Sequence, residues 1–332
     1  MKTALITTSV NVPAVLSLYR RFDPSASVRF FVAVDEKTPM AAYTLLESLG
    51  NCQIVGATNY KCDPIIGWCS IQRRNLALLE ALKWGADIIV SVDDDNIPLD
   101  PNYFRQFTRL MRDIPFDGLC AHSVNGWFDP GQFLTPPATH RGFPAHIVPE
   151  TYFEAVTNAK IGAAAGMVLG DPDTSAVQRI AKRPDVRGVA EILKAGLVVD
   201  PKTLTVFNSQ NTAIIRELAP AWSMWCGVSR YDDIMASHVV QRVMRERNLY
   251  VHFGRPFVYQ QRNKHDLTRD LAGELWGMEN SEKIAMELDK IALPGKSVLE
   301  DTRRLFEGIA HLVPQITTRA ALAFLADCED VL

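Results

Sequence analysis

Residues 85–98 read Gly85-Ala86-Asp87-Ile88-Ile89-Val90-Ser91-Val92-Asp93-Asp94-Asp95-Asn96-Ile97-Pro98. A short apolar run of this kind, bounded by glycine on one side and by acids and proline on the other, predicts a strand apolar enough to lie in the middle of a sheet. Immediately before it, residues 70–84 place Ile71, Leu78, Leu79 and Leu82 on one helical stripe. Gly85 stands where such a helix stops. Helix, stop, buried strand and then three carboxylates is the order expected of an α/β sheet carrying polar groups at a strand end.

The same alternation extends towards the N-terminus. Residues 3–8, 28–34 and 52–55 read as short buried strands, with a helix over 12–21 between the first two. Strands alternating with helices predict a Rossmann-like α/β fold, with a mostly parallel mixed sheet flanked by helices. Downstream, residues 120–168 are rich in Pro, Gly, His and aromatics, including Pro136-Pro137 and His140-Arg141-Gly142-Phe143-Pro144. Such a stretch is expected to be an irregular binding wall. Residues 174–195 read as helical, 203–207 as extended, 234–247 as a helix with a basic end, and 255–259 as a strand. From residue 281 the pattern becomes helical hairpins broken at Pro294-Gly295 and Pro314. The expected division is a main domain over 1–280 and a C-terminal helical extension over 281–332.

Bulk properties narrow the function. The chain has 332 residues, 47% of them apolar, enough for a substantial core. Thirty-five basic against 38 acidic residues leave a formal charge of −3, which argues against a nucleic-acid partner. The six cysteines form no C-x-x-C pair, which fits reduced thiols in the cytoplasm. Thr7-Thr8-Ser9 interrupts the first apolar run before signal-peptide length, and no stretch approaches about 18 apolar residues, so no transmembrane segment is expected.

The run Asp93-Asp94-Asp95 carries the chemistry. Ligands of open α/β sheets bind beyond the carboxyl ends of the strands. Unit charges about 4 Å apart repel by roughly 4 kcal/mol at an effective dielectric near 20, so clustered carboxylates there call for a cation or for protons. Oxygen-only ligation favours Mg²⁺ or Mn²⁺ over zinc. A metal on a diphosphate stabilises the charge that develops as a sugar leaves a nucleotide. Asp95 is the first choice of ligand and Asp93 the second, with Asp94 on the substrate side; an acidic turn leading out of the strand is the plain alternative. The prenyl-diphosphate pattern D-D-x-x-D is not met, since Ile97 and Pro98 occupy the fourth position after Asp93 and Asp94. A D-x-D phosphatase would carry a hydroxyl residue where Ile97 stands. A sugar nucleotidyltransferase would carry glycines in Thr7-Thr8-Ser9-Val10-Asn11-Val12-Pro13, which has none.

Other residues have weaker individual claims. Arg73 or Arg74, at a helix start, is a candidate nucleotide contact, and Asp35 a candidate contact to base or ribose. Asp232 and Asp233 precede the helix over 234–247, where a carboxylate either caps the helix or takes the proton of an attacking hydroxyl. Asp233 is the preferred base. In Gln260-Gln261-Arg262-Asn263-Lys264-His265-Asp266, Arg262 and Lys264 are candidates for the departing diphosphate and His265 for a third metal ligand.

Taken in order, Val92–Pro98, Arg141–Pro144, Gly166–Ala176, Arg230–Asp233 and Gln261–Leu267 resemble the family of reversibly glycosylated polypeptides and UDP-arabinopyranose mutases, and the related STELLO proteins. The resemblance spans roughly residues 60–280. It implies a GT-A glycosyltransferase fold, a UDP-sugar donor and Mn²⁺ or Mg²⁺, and it strengthens Asp93, Asp94, Asp95, Asp232 and Asp233 as site residues along with Arg141 and Arg230. One departure stands out: where the mutases carry a reactive arginine after their G-Y-P-F-like segment, this chain reads Ala145-His146-Ile147-Val148-Pro149-Glu150. The resemblance therefore supports the donor half of a site more than the acceptor half.

The expected activity is transfer of a sugar from a UDP-sugar to an acceptor hydroxyl of a small molecule or glycan. Trp127, His140, Arg141 and His146 would help to wall the donor and acceptor. The alternatives are a UDP-sugar mutase and an inactive glycosyltransferase-like scaffold. Expected partners are the donor, the acceptor and, in a homo-oligomer, further copies of the chain.

Overall fold

The computed structural model describes residues 1–112, 115–262 and 265–332. Ten strands form its main sheet: β1 (Thr3–Ser9), β2 (Arg29–Val34), β3 (Cys52–Val55), β4 (Ile88–Val92), β5 (Asn96–Pro98), β6 (Phe116–Ser123), β7 (Thr151–Gly170), β8 (Leu197–Val199), β9 (Asn211–Ile215) and β10 (Leu249–Gln260). Their order is β3-β2-β1-β4-β9-β7-β6-β8-β10-β5, with a further pairing of β7 to β10. The first four are mutually parallel. Antiparallel β9 then joins β4 to β7, and beyond it the sheet is mixed. The α/β architecture is that expected, with the parallel half carrying the carboxylate run.

Helices α1 (Leu16–Arg21), α2 (Met40–Ser48), α3 (Arg74–Trp84) and α4 (Tyr103–Leu110) serve the first half. Then come α5 (Asp232–Arg245), α6 (Leu267–Lys290), α7 (Val298–Gly308) and α8 (Gln315–Val331). The α3 terminus shows why the opening stretch is decisive. Gly85 takes φ 84°, and the amides of Gly85 and Ala86 close back on the carbonyls of Leu82 and Ala81 at 2.9 and 3.0 Å. That left-handed stop, free of a Cβ penalty in glycine, turns the chain directly into β4. Every residue of β4 is buried.

Several boundaries differ from expectation. Ile71 belongs to a 3-10 turn over Ile71–Arg73 and is exposed, so it is not part of the buried stripe of α3. The helix expected over 12–21 is confined to α1. Residues 120–168 are not mainly irregular: they include the second half of β6 and nearly all of β7, a strand of 20 residues. Residues 174–195 break at Pro184 into helices Ala176–Ala181 and Glu191–Ala195. The strand expected over 255–259 is the twelve-residue β10, and only Leu204–Thr205 is extended within 203–207.

The expected division at residue 280 falls within one helix. Helix α6 runs through it without interruption. Leu305, Phe306, Phe324, Leu325 and Cys328 share one buried cluster with Leu76, Leu79 and Ile89, so the last two helices are part of the main core. No helix among the described residues is long and apolar enough to cross a membrane.

Candidate active site

Asp93, Asp94 and Asp95 form the turn between β4 and β5, and all three remain partly exposed. The turn is held by buried amides. Asn96 Nδ2 and the Asp93 N–H donate to the Gln210 carbonyl at 2.7 and 3.2 Å, while Asn96 pairs with Gln260 across β5 and β10. Each carboxylate has a different neighbour. Arg74 Nη2 lies 2.8 Å from Asp93 Oδ1, Ser9 Oγ at the end of β1 donates to Asp94, and Gln260 Nε2 stands 3.3 Å from both Asp95 oxygens.

Among the described residues one guanidinium in direct contact therefore serves three clustered acids. Burial, reinforced by the Asp93 and Asp94 charges, pushes the Asp95 carboxyl up to about 6, even though Gln260 and Arg262 act in the opposite sense. Burial also raises Asp94, against the opposing hydrogen bond from Ser9.

Arg74 connects this turn to the second acidic segment. Its Nη1 donates to Ser209 Oγ at 2.6 Å and to the Ser209 carbonyl at 3.2 Å. Ser209 in turn gives its amide and hydroxyl to Asp233 Oδ2, at 2.9 and 3.0 Å. The other Asp233 oxygen is 3.5 Å from Arg141 Nη2. Arg141 grips Asp173 with two parallel bonds of 2.6 and 2.9 Å, and Asn208 adds another at 3.0 Å. Arg74, Ser209, Asp233, Arg141 and Asp173 are all buried. Burial alone would raise Asp173, but the Arg141 charge overrides it and holds that carboxyl far below the usual range.

Asp233 is thus engaged at both oxygens, which does not suit the expected role of free base. Its neighbour Asp232 has a single side-chain bond, from Gln72 Nε2 at 3.1 Å. Burial, followed by the Asp233 charge, raises the Asp232 carboxyl. Neither acid caps α5: Tyr231 is the cap residue, and both lie in the first turn.

The two arginines at the helix start separate cleanly. Arg73 is fully buried and spent on the Val34, Gly67 and Gly56 carbonyls at 3.0, 3.1 and 2.6 Å and on Asp63 at 3.1 Å, with Trp68 stacked 3.7 Å away. It ties β2 to the following loop and is not available to a nucleotide. Asp35 is buried and accepts from the amides of Cys69 and Lys37, at 2.5 and 3.3 Å. Burial opposes its charge, but those amides and Arg73 keep its pKa below normal.

The last candidates lie around α6. Arg230 is clamped by Asp270 and Glu274, each at 3.2 Å. Arg262 donates to Gln260 Oε1 at 3.0 Å, and its Nε has no hydrogen-bond partner among the described residues. His265 is hydrogen-bonded to Asp270 at 3.0 Å rather than joined to the carboxylate run. Lys264 lies outside the described residues. Among the proposed wall residues, Trp127 is a core side chain packed edge-on against His238, and His146 is exposed beside Glu282. His140 is held by Asp129 at 2.6 Å; burial works against its charge, yet Asp129 outweighs it and raises the pKa.

Residues not singled out beforehand complete the site: Ser9, Ser209, Gln210, Gln260, Asp171 and Asp173. Asp171 is paired with Arg179 and Arg183, and Arg262 Nε lies 3.7 Å from its Oδ1. A detectable signal preceded β9, where Asn208-Ser209-Gln210-Asn211 is a fully polar stretch leading into an apolar strand.

Asp93, Asp94, Asp95 and His265 do not gather three protein ligand atoms within 4.8 Å of one another. The donor set fits a hard cation all the same. Mg²⁺ and Mn²⁺ sites commonly take one or two carboxylates and fill the remaining positions with phosphate oxygens and water. Asp95, whose oxygens are hydrogen-bonded only by the Gln260 amide among the described residues, offers such a position.

No protein-family model matches the chain, and comparison with characterised proteins finds none similar. Solved structures similar to it include a mycobacterial protein, at TM-score 0.44 and 10% identity over 84% of this chain and 74% of the other. Another is glucosyl-3-phosphoglycerate synthase from Mycobacterium tuberculosis in complex with Mn²⁺ and UDP-glucose, at 0.43 and 11% over 84% and 78%. A third is S. aureus TarS 1-349 in complex with UDP-GlcNAc, at 0.42 and 12% over 100% and 90%. Such scores and identities assign neither a family nor an activity.

Proposed function

We propose that this chain is a metal-dependent glycosyltransferase of GT-A type, transferring a sugar from a UDP-sugar to an acceptor hydroxyl. The observation that carries the proposal is the charge imbalance at the end of β4: among the described residues, three partly exposed carboxylates have one directly bonded guanidinium, and the Asp95 oxygens are hydrogen-bonded only by Gln260. UDP as the nucleotide rests on the ordered motifs from Val92 to Leu267.

Asp95 and then Asp93 would hold Mn²⁺ or Mg²⁺, which when bound supplies Lewis-acid stabilisation to the leaving diphosphate. Arg262, whose Nε lacks a hydrogen-bond partner among the described residues although it lies 3.7 Å from Asp171 Oδ1, would meet the same phosphates. Arg74 orients Asp93 through its 2.8 Å contact. Asp233 positions Ser209 and Arg141, and the proton of the attacking hydroxyl passes to Asp232, which has hydrogen-bonding capacity left.

Calorimetry with UDP, with and without Mn²⁺, tests the donor site. Metal-dependent binding is the expected result, and its loss in Asp95→Asn is the specific one. Absence of metal-dependent UDP binding by the folded protein would contradict the proposal. Incubation with a UDP-sugar panel and no acceptor distinguishes transfer from ring isomerisation: the expectation is an unchanged sugar ring.

A further inference from the structure

At the opposite arm of the sheet, Cys120 and His122 are alternate residues of β6 and so share one of its faces. Parallel β8 pairs with β6 through Val198 opposite Cys120, and the Asp200 amide continues the ladder onto the Ala121 carbonyl at 3.0 Å. This register brings Cys120 Sγ, a His122 ring nitrogen and an Asp200 carboxylate oxygen within 4.8 Å of one another. His122 Nδ1 is 3.8 Å from Asp200, and Nε2 is 3.6 Å from Glu154, the residue directly across from Cys120 on β7.

Further contacts fix the cluster. The His122 ring stacks on Tyr152 with centroids 5.0 Å apart and planes 12° from parallel, and Asp200 accepts from the Lys202 amide at 2.9 Å. Among the described residues neither Asp200 nor Glu154 is ion-paired with Lys or Arg; His122 is their shared neighbour. Two carboxylates, an imidazole and a thiol thus converge without a fixed cation.

We propose that Cys120, His122 and Asp200 form a binding site for a thiophilic divalent cation, Zn²⁺ by ligand type, with Glu154 orienting the His122 ring. Tetrahedral zinc with ligands at about 2.0–2.3 Å sets the ligand atoms about 3.3–3.8 Å apart, so the ligand atoms need to close by no more than about 1.5 Å. Thiolate and imidazole select zinc over the hard cations suited to Asp95. A metal at Nδ1 leaves Nε2–H to donate to Glu154, the usual arrangement around ligating histidines. Binding forms the metal–sulfur bond and releases the thiol proton to solvent. The ion would tie β6 to β8 at a place distinct from the carboxylate run. Val251, which pairs with Val199, precedes Gln260 along β10 by a distance of roughly 30 Å at about 3.3 Å per residue.

Metal-free full-length protein titrated with Co²⁺ tests the site, because a sulfur ligand gives a near-ultraviolet charge-transfer band that an oxygen-only site cannot give. The expected result is that band at one equivalent, displaced by Zn²⁺, absent in Cys120→Ser and unchanged in Asp95→Asn. Glu154→Gln should weaken binding about 10-fold or more. No charge-transfer band, or one that persists in Cys120→Ser, would overturn the proposal. If Cys120→Ser does not fold, His122→Gln decides: Co²⁺ affinity at least tenfold weaker supports the site, and unchanged affinity refutes it.

Discussion

The two acidic regions joined through Arg74 use the same residue type to opposite ends. Around Asp173 and Asp233 the carboxylates are matched: Asp173 by two bonds from Arg141 and one from Asn208, and Asp233 by the Ser209 amide and hydroxyl with Arg141 beyond. At Asp93, Asp94 and Asp95 a single guanidinium, a hydroxyl and an amide among the described residues are shared by three acids. Saturated acids are scaffold, fixed by partners already present. Under-compensated acids at a strand end retain affinity for something not supplied by the protein.

The largest expected effect comes from breaking the saturated side. Arg141→Ala leaves Asp173 and Asp233 buried without their cation, which should cost about 3–5 kcal/mol in denaturant unfolding. A loss below about 1 kcal/mol would mean that the matched region is not the scaffold described.

Ser209→Ala removes the hydroxyl between Arg74 and Asp233 while sparing the backbone contacts. It should cost about 1–2 kcal/mol, measured in the same way.

The two regions should also differ in pH dependence. A carboxyl raised in the folded state binds its proton more tightly there than in the unfolded chain, so its contribution to stability falls as pH rises. For Asp95 the window runs from the usual carboxyl range near 4 up to about 6. Asp173, held low, contributes in the opposite direction: its stabilisation is present above the usual carboxyl range and is lost as pH falls towards its depressed value. From pH 4 to pH 7 the unfolding free energy should therefore fall less, or rise more, in Asp95→Asn than in the parent protein, a difference absent if Asp95 is unshifted.

The smallest effect is expected at His265. Paired with Asp270 and exposed, it should change stability by less than about 0.5 kcal/mol on replacement by Ala. Metal-dependent nucleotide affinity should also be unchanged in His265→Ala; a tenfold loss would restore it as a ligand.

The parallel half of the fold was legible in the sequence because β4 is Val and Ile at every position but Ser91, and Gly85 marks the stop before it. Strand β7 was not, because its middle reads Gly162-Ala163-Ala164-Ala165-Gly166, residues with little strand preference. Their smallness serves close packing: a Cβ on Gly166 would stand 2.2 Å from the Pro256 carbonyl and 2.3 Å from Asn211 Nδ2. At the site, the acids themselves could be seen but their degree of pairing could not. Arg141 and Asp173 are 32 residues apart, and Arg74 and Ser209 are 135. For the same reason Arg73 and Arg74, adjacent in sequence, looked equivalent although one is a structural tie and the other reaches Asp93.

The central claim is that Asp95 is a cation ligand serving a nucleotide diphosphate. Its most direct test is UDP titration calorimetry of the parent protein and Asp95→Asn, each with Mn²⁺ and with chelator. The account predicts Mn²⁺-dependent UDP binding in the parent, weakened at least tenfold in Asp95→Asn while the fold is retained. Equal UDP affinity and equal metal stoichiometry in the two proteins would contradict it.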